Sequence, residues 1–261
     1  MPLQKILIRR ERKEYIDDLG KELTVAKRRV YRVSNLEQDF NTAEGVIAKA
    51  DLAKRDGSIV TTNRGKEFVI HSPSFIDSYK QLKRGAQIIP LKDLGVIITE
   101  TGLGKNSTLV DAGAGSGALA CFLAHYAKRV FTYDIREDFI EVVRKNIAYL
   151  GLKNITVAQH DIYESIPHRN VDVITLDLPE PWKVIPHLEK ALTIGGFVVS
   201  YSPCVPQVAD FVNAARKSEK LIFLKTIELI EREWDVDGRK VRPQTTGIGH
   251  SGFLSFCRRI S

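Results

Sequence analysis

The stretch from Thr108 to Gly117 has the residue types of a cofactor-binding turn between a buried strand and a helix. Apolar and β-branched residues come first, glycines stand at 113, 115 and 117, and an apolar helical pattern follows from Leu119. Glycine lets a backbone pass close to a ligand where a Cβ would clash, and the free amide groups at a helix start face the same space. The stretch therefore predicts a site for a nucleotide-like cofactor.

Two cofactor classes fit this loop. Gly113, Gly115 and Ala118 match the dinucleotide pattern Gly-x-Gly-x-x-Gly/Ala. Asp134 ends the next predicted strand, where a carboxylate would hold the ribose hydroxyls of a dinucleotide or of S-adenosylmethionine. Asp111 favours S-adenosylmethionine, because its negative charge would repel a pyrophosphate but attract the cationic aminoacyl end, directly or through water.

Four carboxylates are expected at the carboxyl ends of the predicted strands: Asp111, Asp134, Asp161 and Asp177. In a doubly wound sheet these ends form the crevice in which ligands bind. Asp161 would accept a hydrogen bond from the exocyclic amine of a cofactor adenine. Each of the four, taken alone, is more commonly a helix N-cap, whereas four that converge on one crevice favour a ligand site.

The segment Asp177-Leu-Pro-Glu-Pro-Trp182 has the composition of a rigid acceptor site. Its two prolines hold an irregular turn, and Trp182 offers a flat aromatic face. A carboxylate at Asp177 can accept the N6 hydrogen of an adenine and offset the positive charge that grows when N1 is alkylated. The alternative is that the prolines only stiffen a loop and that Trp182 belongs to the core.

Alternating strand and helix patterns position these residues. Strands are predicted near 108–111, 129–134, 154–158, 171–177 and 194–200, and helices near 117–127, 136–150, 181–190 and 204–217. Two long β-rich segments, Leu221 to Trp234 and His250 to Arg258, are expected to form an antiparallel pair at one edge. The pattern predicts an α/β fold with a mostly parallel, Rossmann-like seven-stranded sheet and a C-terminal antiparallel hairpin. That layout is typical of class I methyltransferases rather than of dehydrogenases.

Residues 1–72 are predicted to form a small β-barrel-like domain, and residues 73–261 the catalytic domain. Short β-rich runs separated by turn signals fill the first region, near 3–8, 22–26, 29–33, 45–50, 58–62 and 66–70. Ser72 is the expected cap of a helix over about 73–83, and Leu91 to Thr101 is expected to form a helix that ends at Gly102.

Composition narrows the class of protein. The 43% hydrophobic and 27% charged residues are those of an ordinary soluble globular protein. No apolar run is long enough to span a membrane, and the N-terminus lacks the apolar region of a signal peptide, so we expect a cytoplasmic protein. The net charge of +7 indicates a polyanionic partner. An RNA-facing or DNA-facing module is favoured by basic clusters in the first third, namely Arg9, Arg10, Arg12, Lys13, Lys27, Arg28, Arg29, Arg32, Lys80, Lys83 and Arg84.

The three cysteines, Cys121, Cys204 and Cys257, are scattered along the chain without a Cys-x-x-Cys pair or a nearby histidine. Cys121 falls in the apolar helix after the glycine loop and Cys257 in a terminal strand. Both are expected to be small buried thiols, and no metal site or disulfide framework is expected.

The run of motifs along the chain resembles that of the tRNA adenine N1-methyltransferases that modify T-loop position 58, whose archaeal members can also modify position 57. The resemblance covers the whole chain. This sequence departs from the family pattern at two positions: Ser251 stands where Thr is expected, and Leu91 stands where a less branched residue is common. Serine keeps the hydroxyl group. The matching segments are Gln87-Ile-Ile-Pro90-Leu-Lys-Asp93, 111–117, Asp134, His160-Asp161, 177–182, Glu231-Arg-Glu-Trp234, Arg242-Pro243 and His250-Ser-Gly-Phe-Leu254.

The resemblance implies direct methyl transfer from S-adenosylmethionine to N1 of a flipped-out tRNA adenine, with Asp177 as the catalytic carboxylate. It also implies a homotetramer in which the N-terminal β-domain contributes to tRNA binding. With the residues singled out above, the expected cofactor-binding set is Gln87, Asp111, Gly113, Ala114, Gly115, Ser116, Gly117, Asp134, Ile135, His160, Asp161 and Asp177. The expected substrate-binding set is Pro179, Trp182, Arg242, Pro243 and His250.

Three alternatives stay open from the sequence. The chain is a methyltransferase for another acceptor, a non-catalytic RNA-binding subunit that keeps the fold, or a dinucleotide dehydrogenase. Enzymes that methylate exocyclic amines tend to carry Asn/Asp-Pro-Pro-aromatic at the fourth strand end, where this chain has Asp177-Leu-Pro-Glu-Pro-Trp182, which counts against them.

Overall fold

The chain, described here from a computed structural model over residues 1–85, 88–247 and 249–261, divides into two compact units. The units are Met1–Leu82 and Lys83–Ser261. The first unit extends beyond the boundary expected at residue 72, because the short helix that follows it clusters with the N-terminal strands. Among the described residues, no helix is both long enough and apolar enough to cross a membrane.

The first unit is built on a four-stranded antiparallel sheet in the order β4-β1-β8-β7, accompanied by the hairpins β2-β3 and β5-β6. Leu7 pairs with Ile70 across two of the central strands, and both side chains are fully buried. The elements are β1 (Lys5–Arg9), β2 (Arg12–Ile16), β3 (Lys21–Ala26), β4 (Arg29–Val33), β5 (Phe40–Thr42), β6 (Gly45–Ile47), α1 (Lys49–Leu52), β7 (Ile59–Thr61), β8 (Glu67–His71) and α2 (Phe75–Tyr79).

Local details of the first unit differ from the sequence-based expectation. Ser74, not Ser72, caps α2: its Oγ donates to Asp77 Oδ2 at 2.6 Å and its backbone N donates to the same oxygen at 2.9 Å. Ser72 Oγ instead donates to Asp56 Oδ1 at 3.1 Å. The strand predicted over 45–50 ends at Ile47, and β2 and β5 were not predicted, because short strands with mostly polar residues carry little periodic signal.

The second unit contains the predicted α/β fold. Its seven-stranded sheet has the order β11-β10-β9-β12-β13-β17-β14; the first five strands run parallel and β17 is antiparallel to both neighbours. The elements are α3 (Leu91–Thr101), β9 (Thr108–Ala112), α4 (Ala118–Ala124), β10 (Arg129–Asp134), α5 (Glu137–Leu150), β11 (Ile155–Gln159), β12 (Val171–Leu176), α6 (Ile185–Ala191), β13 (Leu192–Ser202), α7 (Val205–Lys217), β14 (Leu221–Glu228), β15 (Trp234–Asp237), β16 (Lys240–Pro243) and β17 (Phe253–Arg259).

Burial follows from helices that cover the sheet. In β12, Val173, Ile174 and Leu176 are all buried although they alternate between faces, which is typical of a parallel strand covered on both sides. The segment predicted as one strand from Leu221 to Trp234 is interrupted: β14 ends at Glu228, and β15 pairs with β16 as a separate hairpin. Its turn contains Gly238 at φ 59°, the Asp-Gly turn expected from the sequence.

Candidate active site at the carboxyl ends of the parallel strands

The glycine loop lies between β9 and α4, where the sequence pattern predicts it. A Cβ on Gly113, whose φ is 88°, would lie 2.0 Å from the carbonyl oxygen of Asp177. A Cβ on Gly117, whose φ is 74°, would lie 2.8 Å from Val143 of α5. These two glycines therefore serve close packing against neighbouring elements as well as the ligand approach inferred from the sequence. Ala114 and Ser116 are buried beside them.

Asp134, at the end of β10, holds this loop in place. Its Oδ2 accepts a hydrogen bond from the backbone N of Gly115 at 2.9 Å, and its Oδ1 accepts one from the backbone N of Arg136 at 3.0 Å. A carboxylate that fixes the loop also presents its charge beside it. Ile135, the next residue, is 62% exposed, so its side chain is available for contact with a ligand.

Asp111 lies in the central strand β9 and is 1% exposed. Its two carboxylate oxygens accept hydrogen bonds from Thr132 Oγ1 at 2.7 Å and Thr175 Oγ1 at 2.8 Å. These threonines are its direct partners in β10 and β12. The sequence analysis missed them, although each stands two residues before the strand-end aspartate of its own strand.

Asp177 follows β12 and reaches the same edge of the sheet. Its backbone N donates to the Ala112 carbonyl at 2.9 Å, while no hydrogen bond to its carboxylate is found among the described residues. Burial raises the pKa of Asp177 to about 6. Burial, together with the charges of Asp177 and Asp134 and against the hydrogen bonds from Thr132 and Thr175, raises the pKa of Asp111 to about 7. The charges of Asp134 and Asp177 thus act on Asp111 at this edge, and the three carboxylates favour a cationic ligand.

His160 and Asp161 follow β11, the outer neighbour of β10. Asp161 Oδ1 accepts a hydrogen bond from the backbone N of Tyr163 at 2.9 Å, so this carboxylate caps a turn, which is the common role considered for it. His160 Nε2 lies 2.8 Å from the Ser165 carbonyl oxygen, and its ring packs edge-on against Tyr133.

The loop after Asp177 is fixed by two residues that the sequence analysis did not single out. Gln207 Nε2 donates to the Pro179 carbonyl at 2.7 Å, and the backbone N of Glu180 donates to the hydroxyl of Tyr163 at 3.1 Å. Trp182 lies in a short 3-10 helix, Pro181–Val184. Its side chain is partly buried and packs against the hydrophobic cluster beside the sheet, as expected if Trp182 contributes to the core.

Of the remaining candidate residues, His250 lies near the end of β13, and Arg242 and Pro243 lie in the β15-β16 hairpin. His250 Nδ1 lies 2.6 Å from Glu228 Oε1, and its Nε2 lies 2.9 Å from the carbonyl oxygen of Pro203, just after β13. Glu228 raises the pKa of His250, because its carboxylate hydrogen-bonds the imidazolium form. Arg242 and Pro243 lie in the β15-β16 hairpin, where Arg242 is exposed and its Nε is 3.9 Å from Asp235 Oδ2.

Gln87 lies outside the described residues. Within the described ranges, no group of three or more His, Cys, Asp or Glu side chains is arranged to hold a metal ion. Cys121 and Cys257 are buried, as the sequence predicts, and Cys204 is exposed.

A parallel sheet with a glycine-rich first turn, strand-end carboxylates and an antiparallel last strand defines a class I methyltransferase, the S-adenosylmethionine-dependent class, and confirms the predicted fold. A family model described as the tRNA methyltransferase complex GCD14 subunit matches residues 78–251. The chain belongs to this family, which confirms the resemblance noted from its motifs.

Curated relatives extend the match along the chain. The tRNA (adenine(57)-N(1)/adenine(58)-N(1))-methyltransferase TrmI of Methanocaldococcus jannaschii is 33% identical over 93% of this chain and 93% of that protein. A tRNA (adenine(58)-N(1))-methyltransferase TrmI of Thermus thermophilus is 30% identical over 78% of this chain and 81% of that protein. Both are similar over most of their own length.

Solved structures show the same fold. A SAM-dependent O-methyltransferase from Thermotoga maritima superimposes with a TM-score of 0.79 at 25% identity, covering 100% of this chain and 94% of that chain. The tRNA (m1A58) methyltransferase TrmI from Aquifex aeolicus superimposes with a TM-score of 0.77 at 22% identity, covering 100% of this chain and 98% of that chain.

Proposed function

We propose that this protein transfers the methyl group of S-adenosylmethionine to N1 of adenine 58 in the T-loop of tRNA. The family match and the relatives named as tRNA (adenine-N1)-methyltransferases support this activity. Adenine 57 is a second candidate position, because the M. jannaschii relative carries both positions in its name.

The Asp177 carboxylate is the observation that carries the proposal. It lies at the strand edge where class I folds bind their ligands, and its backbone is fixed by Ala112. Burial raises its pKa only to about 6, so the group is ionised near neutral pH and can accept a hydrogen bond. The N6 amine of an adenine supplies such a donor, and the negative charge offsets the positive charge that N1 gains during alkylation.

The residues at this edge fit S-adenosylmethionine better than a dinucleotide. The loop 113–117 and Asp134 would hold its aminoacyl and ribose parts, with Asp161 beside its adenine. The combined charge of Asp111, Asp134 and Asp177 attracts a cation and repels a pyrophosphate, which argues against the dehydrogenase alternative. When bound, this cofactor supplies an electrophilic methyl group.

The target adenine is stacked in the tRNA elbow, and its extrusion costs on the order of a few kcal/mol. Contacts between basic side chains and phosphates would offset this cost. In the first unit, Arg10, Arg28 and Arg29 are exposed and available for such contacts. Arg9 is engaged within the unit, since it pairs with Glu44 at 2.6 Å and lies over the Phe68 ring.

The proposal includes a homotetramer, which the family resemblance alone supports, and a cytoplasmic location, which the composition of the sequence supports. Light scattering at several protein concentrations tests the assembly state. A monomer at micromolar concentration would contradict the tetramer without affecting the proposed activity.

Methyl transfer from labelled S-adenosylmethionine to unmodified tRNA tests the proposal directly. The native chain is compared with Asp177→Ala and with Asp210→Ala, which removes an exposed carboxylate on α7. We expect 1-methyladenosine in the T-loop from the native chain and the control, and its loss in Asp177→Ala with cofactor binding retained. If the native chain binds S-adenosylmethionine but forms no 1-methyladenosine, the acceptor assignment is wrong and the alternative of another acceptor, or of a non-catalytic subunit, gains support.

A further inference from the structure

A buried ion pair between Lys92 and Asp93 lies at the start of α3. Lys92 Nζ lies 2.9 Å from Asp93 Oδ1 and 3.0 Å from Oδ2. The side chain of Asp93 is 1% exposed and that of Lys92 is 10% exposed. Charged side chains this deeply buried are rare, and they require partners for the rest of their hydrogen-bonding capacity.

The partners of this pair come from two distant points of the chain. Lys92 Nζ donates to the Leu229 carbonyl at 2.8 Å and to Ser251 Oγ at 2.7 Å. Ser251 Oγ in turn donates to Asp93 Oδ2 at 2.9 Å. The three N–H groups of the ammonium are thereby used, and Lys92, Asp93 and Ser251 close a ring of hydrogen bonds. We call Lys92, Asp93, Leu229 and Ser251 the Lys92 cluster.

Leu229 and Ser251 flank one segment, residues 230–250. The segment contains the β15-β16 hairpin, which is exposed: Trp234 is 54% and Val236 is 70% exposed. One lysine therefore bonds to the residues on both sides of a segment whose hairpin is exposed. A second contact joins the neighbouring residues, because His250 Nδ1 lies 2.6 Å from Glu228 Oε1.

The base of the segment lies at the edge of the sheet that carries Asp177. His250 contacts the carbonyl of Pro203, which follows β13, and β13 is the parallel neighbour of β12. Tyr201 in β13 donates its hydroxyl to the Ser251 carbonyl. Burial, together with the charges of Asp93 and Asp177, raises the pKa of Tyr201 to about 12, so its hydroxyl keeps its proton and donates to Ser251 at neutral pH.

A buried ion pair adds little stability compared with apolar side chains of the same volume. Its hydrogen bonds instead fix the positions of the groups that they join, because each donor and acceptor must meet its partner within a narrow range of angle and distance. At the Lys92 cluster these partners are the two ends of the exposed segment, so the cluster determines where the segment leaves and rejoins the sheet.

We propose that Lys92 and Asp93 are positioning residues that hold segment 230–250, with Arg242 and His250, at the acceptor side of the site. This inference rests on the proposed function. Among the described residues, the hydrogen bonds of the cluster do not include the glycine loop or Asp134, so we expect its loss to impair the use of tRNA while cofactor binding persists.

The test compares three variants with a matched control. Ser251→Ala removes one hydroxyl from the ring but leaves the ion pair, Ser251→Thr keeps the hydroxyl, and Lys92→Met removes the ammonium while it keeps the length of the side chain. The control is Lys225→Met, which removes a partly exposed 2.6 Å pair between Lys225 on β14 and Glu100, a residue of the same helix α3. Each variant is measured for kcat and KM with tRNA, for the Kd of S-adenosylmethionine, and for protease cleavage within 230–250.

We expect Ser251→Ala and Lys92→Met to lower kcat/KM for tRNA by about 10-fold to 100-fold, as small displacements of positioning groups do. The cofactor Kd stays within about twofold, cleavage within 230–250 accelerates, and Ser251→Thr and Lys225→Met behave as the native chain. If folded Ser251→Ala and Lys92→Met use tRNA as the native chain does, or lose cofactor affinity in proportion, the inference is wrong. If the native chain forms no 1-methyladenosine, the proposed function fails instead. If protease cleavage within 230–250 is unchanged in Ser251→Ala, the Lys92 cluster does not hold this segment, whatever the result for tRNA.

Discussion

Replacing Asp111 by asparagine should make the protein more stable in alkaline solution and weaken cofactor binding. Burial raises the pKa of this carboxyl from 3.8 to about 7, so the folded state holds its proton more tightly than the unfolded state does. The stability that protonated Asp111 gives is present at acidic pH and is lost as the pH rises from about 4 to about 7. Asparagine carries no charge and avoids this loss.

The magnitude follows from the two pKa values. The difference between 3.8 and about 7 corresponds to about 4 kcal/mol of unfolding free energy, since a tenfold change in proton affinity is worth about 1.4 kcal/mol. Asparagine can still accept from one of Thr132 and Thr175 and donate to the other. Any change in packing energy caused by the substitution does not depend on pH. The change with pH, from about 4 to about 8, in the stability difference between Asp111→Asn and the native protein therefore reports only the ionisation of Asp111.

Urea unfolding of native protein and Asp111→Asn across this pH range measures the effect. The matched control is Asp138→Asn, which removes an exposed carboxylate paired with Arg136 at 2.6 Å. We expect the native curve to fall toward alkaline pH relative to Asp111→Asn, by up to about 4 kcal/mol. We also expect weaker S-adenosylmethionine binding in this variant. Parallel pH curves for Asp111→Asn and the native protein would refute the assignment of a buried, titrating carboxylate.

Three further predictions concern the loop, the pH profile and the thiols. Gly113→Ala should abolish cofactor binding and lower the melting temperature far more than Gly151→Ala, because both glycines have positive φ but only a Cβ at 113 meets the Asp177 carbonyl; equal effects in thermal scans would contradict this. The kcat/KM for tRNA should rise as the pH rises through about 6, where Asp177 loses its proton. A kcat/KM that stays constant across that range would show that activity does not require the ionised carboxylate of Asp177. A thiol reagent should titrate one cysteine in the native protein, the exposed Cys204, and three after unfolding, because burial raises the pKa of Cys121 and Cys257 to about 12; two fast-reacting thiols in native protein would show that the core opens.

Local patterns were sufficient where the signal repeats over several residues. The helix Leu91–Thr101, with Gly102 at φ 66° after it, has the predicted bounds, because an amphipathic period and a glycine stop act within one element. The alternation of strands and helices after Thr108 likewise predicted a parallel sheet, whereas the spatial order of its strands comes from the structure. The Asp237-Gly238 turn was recognised, but its flanking strands β15 and β16 were assigned to a polar loop after Trp234, since four-residue strands have too few residues for a periodic pattern.

The cap assignment at α2 was wrong because two similar residues compete for the position. Ser72 and Ser74 both precede the helix α2, and the choice depends on Asp77, which hydrogen-bonds Ser74. Trp182 has the same sequence context whether it faces a ligand or the core. Its contact with the hydrophobic cluster depends on how α6 and α7 pack against the sheet, which is a tertiary matter.

The sequence by itself determined the class of the fold, the glycine-rich loop and the strand-end carboxylates, because each depends on residues near one another in the chain. The tertiary structure alone decided what those carboxylates do. Asp111 meets Thr132 and Thr175 only because three parallel strands align in register, and this burial raises its pKa. Lys92 meets Leu229 and Ser251 across more than a hundred residues of chain for the same reason: hydrogen bonds need partners within about 3 Å, and only the folded sheet brings them that close.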